Sequence, residues 1–173
     1  MPRPDPIIPG PGQESVQDYP IPPRLDPVDS HIRIECNGIV IAESNKAIRV
    51  LEHGHPPAYY LPPEDIRVEF IVPEAHLTTC EWKGTAHHYG LDVSGERRPS
   101  VAWCYPEPLP GYEPIAYYVA FTPVEGLRCT VDEALVQTTT GIADGGWITP
   151  GIAGPFAQEP SSDFRTSLVF AAS

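Results

Sequence analysis

His31-Ile32-Arg33-Ile34-Glu35-Cys36-Asn37-Gly38-Ile39-Val40-Ile41-Ala42 decides the fold class. Apolar and polar residues alternate up to Cys36, which puts Ile32, Ile34 and Cys36 on one face of a strand. Asn37-Gly38 follows, and an apolar run resumes. Asn-Gly between two such runs marks a tight hairpin, because both turn residues need φ > 0. The chain therefore starts its ordered part as antiparallel β.

Working outward, the same signals recur. Strands are predicted at Ala47–Leu51, Ala58–Leu61, Ile66–Ile71, Leu77–Trp82, Thr85–Val93, Ser100–Tyr105, Leu127–Val131 and Ala134–Thr138. Pro62-Pro63-Glu64-Asp65 reads as a short turn with Pro at its start, and Ser94-Gly95-Glu96 as another. Tyr112–Phe121 reads as a strand with a short helical lead-in. No long amphipathic helix is present. Many short strands at regular spacing predict a mainly β domain, a single β-barrel or bent β-sandwich with short helical turns. Residues 1–27 form a Pro-rich arm carrying nine of the 23 Pro, with Tyr19 and Ile21 as its candidate anchors. Residues 28–160 form the β-rich domain. Residues 161–173 show no pattern and are expected to be an irregular tail.

Composition narrows the functional classes. The chain has 173 residues, 41% of them hydrophobic, and a formal net charge of −12. That charge repels phosphates and anionic lipid surfaces, so nucleic acid and membrane are not expected partners. No apolar run approaches the roughly 20 residues of a membrane span. The start, Met1-Pro2-Arg3-Pro4, lacks the apolar core of a signal peptide. A cytoplasmic protein is expected, its four Cys reduced. None of the four forms a C-x-x-C pair.

Chemistry concentrates in four aromatic segments around Tyr59-Tyr60, Thr79–Thr85, Trp103–Tyr105 and Trp147. Tyr59, Tyr60, Tyr89, Trp103, Tyr105 and Trp147 either fill the core or line a pocket. Cys36 and Cys129 lie on apolar strand faces and read as core. Cys80 has Lys83 close by, which favours a thiolate. Strand alternation, however, sets Cys80 and Trp82 on one face and Lys83 on the other. Lys83 precedes Gly84, a site of close backbone approach. It either binds an anionic group or makes a surface salt bridge with Glu81 or Glu64. His53 and His55 share the H-x-H spacing of a cupin metal motif, but no acid stands at the matching place. His87 and His88 face opposite ways on a strand, so only one can serve a site. Glu64 is a candidate acid, with turn capping as its structural role. No P-loop, dinucleotide fingerprint or nucleophile elbow occurs. Neither a cofactor nor a metal is expected.

These motifs, taken in order, resemble one family. They are Arg49-Val50-Leu51-Glu52, His55-Pro56-Pro57, Tyr59-Tyr60, Pro62-Pro63-Glu64-Asp65, Thr79–Gly84, Ala102–Pro106, Gly145-Gly146-Trp147-Ile148-Thr149 and Gly154-Pro155-Phe156. The chain is similar to the domain of unknown function 427 family, once labelled nucleotidyltransferase-like. The resemblance implies a compact, mostly β domain and no established activity. Nucleotidyl transfer needs paired metal-binding carboxylates beside a Gly-Ser turn, and that motif is absent. Cys104 stands where members of the family tend to carry Ser.

Two functions fit these residues. One is a small cofactor-independent enzyme acting on a carbonyl-bearing or aromatic molecule by acid–base chemistry: isomerisation, cyclisation, dehydration or hydrolysis. Lys83 would hold an anion, His55, His88 or Glu64 would move protons, and Tyr60 or Tyr105 would donate a hydrogen bond. Tyr59, Cys80, Trp82, Tyr89, Trp103 and Trp147 would line the pocket. The other is a non-catalytic module that binds a small molecule or a protein. A homodimer is compatible with either.

Overall fold

A computed structural model describes residues 12–137, 146–154, 156 and 168–170. Residues 1–11, 138–145, 155, 157–167 and 171–173 lie outside the described residues, and with them the end of the strand expected at Ala134–Thr138 and most of the tail. The strands are β1 (Glu14–Ser15), β2 (Arg24–Pro27), β3 (Ile32–Cys36), β4 (Ile39–Ser44), β5 (Ile48–Leu51), β6 (Ala58–Leu61), β7 (Ile71–Cys80), β8 (Gly84–Val93), β9 (Glu96–Cys104), β10 (Val119–Phe121), β11 (Leu127–Val131), β12 (Ala134–Leu135), β13 (Ile152–Ala153) and β14 (Leu168–Phe170). Short 3₁₀ turns supply the helical content.

The hairpin of β3 and β4 closes as its sequence demands. Cys36 pairs with Ile39, and Asn37 and Gly38 sit at φ +53° and +76°. It belongs to a four-stranded sheet in the order β12-β11-β3-β4. A larger sheet runs β14-β7-β8-β9-β10-β6-β5-β2. The strand pairs in both are antiparallel, and β14 and β2 end the larger sheet without closing it into a barrel. The two sheets share one core: Ile32, Ile34, Cys36 and Cys129 from the smaller meet Leu61, Leu91, Ala102 and Phe121 from the larger. Burial pushes the Cys129 thiol up to about 12, which leaves it an inert core group.

The larger sheet carries a second cluster. Tyr60, Trp103, Tyr105, Cys80, Ala86, Ile48 and Ile115 form it. Because strand neighbours face opposite ways, Tyr60 belongs to this cluster while Tyr59 and Leu61 belong to the first.

Several expectations need correction. Ile66–Ile71 is not a strand. Ile66 makes one bridge to Ala42, and Val68–Phe70 is a 3₁₀ turn with Val68 exposed. β7 is longer than predicted at its start and ends at Cys80, because Glu81–Lys83 is a turn. The arm joins the fold: Arg24–Pro27 is the edge strand paired with β5, where a Pro lacking a backbone donor is tolerated. Tyr19 is buried as expected, but Ile21 is 62% exposed and anchors nothing. The patternless tail supplies β14, which pairs with His76–Thr78 of β7.

Candidate functional site

The site begins at a turn. Cys80 pairs with Gly84 across the β7–β8 hairpin, and three residues span the gap. The Cys80 Sγ accepts the backbone N–H of Trp82 at 3.3 Å and of Lys83 at 3.4 Å. Those two bonds curl the turn inward, so alternation no longer governs where Lys83 points. Gly84 follows at φ +111°, and a Cβ there would press within 3.3 Å of the Glu107 carbonyl. The segment after Tyr105 can therefore pass directly over the turn. Leu109 donates its backbone N–H to the Lys83 carbonyl at 2.9 Å. Tyr112 donates its hydroxyl to the Pro23 carbonyl at 2.7 Å, tying the segment to the arm.

Lys83 ends up only 1% exposed. Its Nζ lies 5.7 Å from the centroid of the Tyr105 ring, within cation–π reach. Glu81 and Glu64 are exposed. A surface salt bridge with either acid is therefore not the role of this lysine.

A cross-strand row adjoins it. Ile48, Tyr60, Ala120, Trp103 and His88 stand directly opposite one another on β5, β6, β10, β9 and β8. The Trp103 indole N–H donates to the Tyr60 hydroxyl at 3.0 Å. Tyr60 and Tyr105 lie 6.3 Å apart, tilted by 38°. His88 is buried at the end of the row, its Nε2 2.8 Å from Thr78 Oγ1. The His76 ring stacks on it at 4.4 Å. Burial, then the neighbouring His76 and His87, lowers the His88 pKa to about 4 against the pull of Glu74. His88 is thus neutral near pH 7. Its neighbour His87 is exposed.

The predicted residues therefore divide. Tyr60, Trp103, Tyr105 and Cys80 form one cluster on the larger sheet with Trp82 half-buried against it, Lys83 reaches over Tyr105 from the turn, and His88 stands opposite Trp103. Tyr59 and Trp147 pack on the other face with ring centroids 4.9 Å apart and planes tilted by 33°, and Trp147 donates its indole N–H to the Phe121 carbonyl at 2.8 Å. Those two build the core between the sheets. His55 lies in a loop turn, its N–H bonded to the Glu52 carbonyl, beside residues that bond to the arm. Glu64 is exposed on a 3₁₀ turn. Sequence reasoning missed Tyr112, which packs into the Lys83 cluster. Only its place in the Pro-rich run after Tyr105 marked it.

Tyr89 belongs to a different place. On the face opposite Lys83 lies a cavity of about 410 Å³, walled by Ile66, Ile71, Val68 and Val119. Tyr89, Cys104 and Tyr117 bring its polar atoms. Among the described residues, no group of three or more His, Cys, Asp or Glu is placed to hold a metal ion. Among the same described residues, no helix is long and apolar enough to cross a membrane.

Fold and site together define a mainly β, antiparallel domain with a buried lysine among aromatics. Residues 24–137 match the model of the domain of unknown function family DUF427, labelled NTP_transf_9. The chain belongs to that family. A search of curated proteins gave no match.

Proposed function

We propose that this protein is a small cofactor-independent enzyme that acts on a carbonyl-bearing or aromatic molecule by acid–base chemistry at the Lys83 cluster. One observation carries the reading: a lysine 1% exposed over the Tyr105 ring. Removing an ammonium from water costs several kcal/mol unless partners compensate. A Met or Leu would fill the same volume without that cost. Holding an ammonium here takes partners that a purely packing residue would not need, and this supports a chemical role for the amine. Its charge stabilises an enolate or carboxylate, the charge that develops when a proton leaves carbon beside a carbonyl. Tyr60 and Tyr105 donate to the substrate oxygen, and neutral His88 accepts a proton. Cys80, Trp82 and Trp103 form the walls. Substrate enters when the Pro106–Tyr112 segment lifts off Gly84. His55 and Glu64 have no part in this reading.

The wider setting is part of the proposal. We read the two sheets packed across one core as a bent sandwich. The acidic chain works in the cytoplasm, away from nucleic acid and membrane, as a monomer or homodimer.

The test is proton exchange. Pyruvate, phenylpyruvate and acetophenone are incubated with the protein in deuterated water, and loss of the α-proton signal is followed by NMR. Wild type should exceed the buffer rate for at least one. Lys83→Met should lose about 100-fold or more. Equal rates for the two proteins, or no exchange with any compound, would leave a non-catalytic binding module as the better reading. The cavity at Tyr89 favours that second reading.

A further inference from the structure

We propose that the cavity between Tyr89, Cys104 and Tyr117 is a binding site for an uncharged, largely apolar small molecule carrying a carbonyl oxygen. The site is separate from Lys83 and does not depend on the function proposed for it.

Size and lining come first. About 410 Å³ lies within the range of small-molecule sites, roughly 300–1,000 Å³. None of the lining side chains carries a charge. A charged ligand would lose its water there without compensation. Ile66, Ile71 and Val119 offer an aliphatic surface to an apolar body.

The polar end supplies orientation. The Tyr89 hydroxyl and the Cys104 Sγ are 3.4 Å apart, and either can donate. Burial pushes both groups up, above their ordinary pKa values. Both therefore keep their hydrogens at neutral pH. Two hydrogens meet in one contact, so one O–H or S–H remains to donate to a third partner. A carbonyl oxygen matches that donor. Because the thiol stays protonated, the site binds and does not attack.

The mouth is built to stay open and sticky. Val68 is 67% and Tyr117 60% exposed, two of the large hydrophobic side chains the fold leaves in water. Tyr117 also sits at φ +64°. That conformation costs a non-glycine residue about 1–2 kcal/mol, and such strain collects at ligand sites. Here the strain holds the Tyr117 ring beside the opening.

The probe is prodan, a naphthalene ketone whose emission moves to the blue in apolar surroundings. Full-length protein should bind it saturably with one site. Ile71→Trp, which fills the cavity, should weaken binding at least tenfold, and Val68→Trp at the exposed mouth gives the same test if the first variant does not fold. Tyr89→Phe should weaken it about threefold to tenfold, the worth of one hydrogen bond. Lys83→Met should leave it within twofold. Absence of saturable binding overturns the proposal, as does binding that survives both Trp variants. Binding lost in Lys83→Met places the probe at the lysine and also overturns it. So does a protein that binds no prodan and sediments as a dimer that Tyr117→Ser dissociates, because a second copy then covers the cavity.

Discussion

The Trp103 indole reaches the Tyr60 hydroxyl at 3.0 Å across a strand that lies between them. Ala120 makes this possible. It pairs with Tyr60 on one side and with Trp103 on the other, and its methyl group leaves room above itself. The two rings close over that gap edge to face, their centroids 6.3 Å apart.

Ala120→Leu should therefore separate the two aromatics. The side chain is 1% exposed, so added carbons have nowhere to go. The expected loss is about 1–3 kcal/mol. Urea unfolding measures it, and the near-ultraviolet circular dichroism of the tryptophans should weaken as well. An unchanged unfolding midpoint would show that the row tolerates bulk and that the hydrogen bond is incidental.

Lys83 should give stability losses of different size for two substitutions. Lys83→Met keeps most of the packing but takes the ammonium from the groups that hold it, so the melting temperature should fall, though by less than for Lys83→Ala. Lys83→Ala removes most of a fully buried side chain and leaves a void, costing about 2 kcal/mol. Thermal unfolding of the pair decides the matter. A Met variant no more stable than the Ala variant would mean that the carbons of the side chain count for little beside the loss of the amine.

His88 should make stability fall in mild acid. Its folded pKa is about 4, below the ordinary 6.5. Between those values the unfolded chain binds the proton and the folded chain does not. Stability should be full above about pH 6.5 and decline as pH drops toward 4, by on the order of 3 kcal/mol. His88→Gln lacks a titrating group there and should flatten that part of the profile. Coincident slopes for the two proteins would remove His88 as the cause.

Gly146 should not accept a side chain. A Cβ there would lie 2.7 Å from the Pro56 carbonyl oxygen. The next residue, Trp147, donates its backbone N–H to Pro57 at 2.7 Å. Gly146→Ala must push these two segments apart and should destabilise by about 1–3 kcal/mol. A Gly146→Ala midpoint equal to wild type would show the contact to be slack.

Local rules read much of this fold well. Asn37-Gly38 gave its turn type as well as its place, and Ala58–Leu61 and Leu127–Val131 match to the residue. Tyr112–Phe121 is the expected helical turn followed by a strand. The failures have physical causes. Ile66–Ile71 alternates like a strand, but the turn begun by Pro62-Pro63 takes up the N–H groups of Asp65 and Ile66. At the site, the aromatic segments pointed to Tyr60, Trp103 and Tyr105. The direction of Lys83 was illegible, because a cysteine sulfur accepting two backbone donors has no pattern of its own. The split of Tyr59 and Tyr89 from Tyr60 follows from simple alternation. It needed only the knowledge that both faces of the sheet are covered.

Trp103-Cys104-Tyr105 sets the two faces at stake against each other. Trp103 and Tyr105 look toward the lysine, and Cys104 between them looks toward the cavity. Inserting one residue just before this triplet would exchange them. The thiol would be delivered to the lysine and an indole to the cavity, with the composition of the strand otherwise unaltered. Substitutions can thus accumulate on either side independently, but the spacing of this strand is frozen: a change in length here turns the molecule inside out.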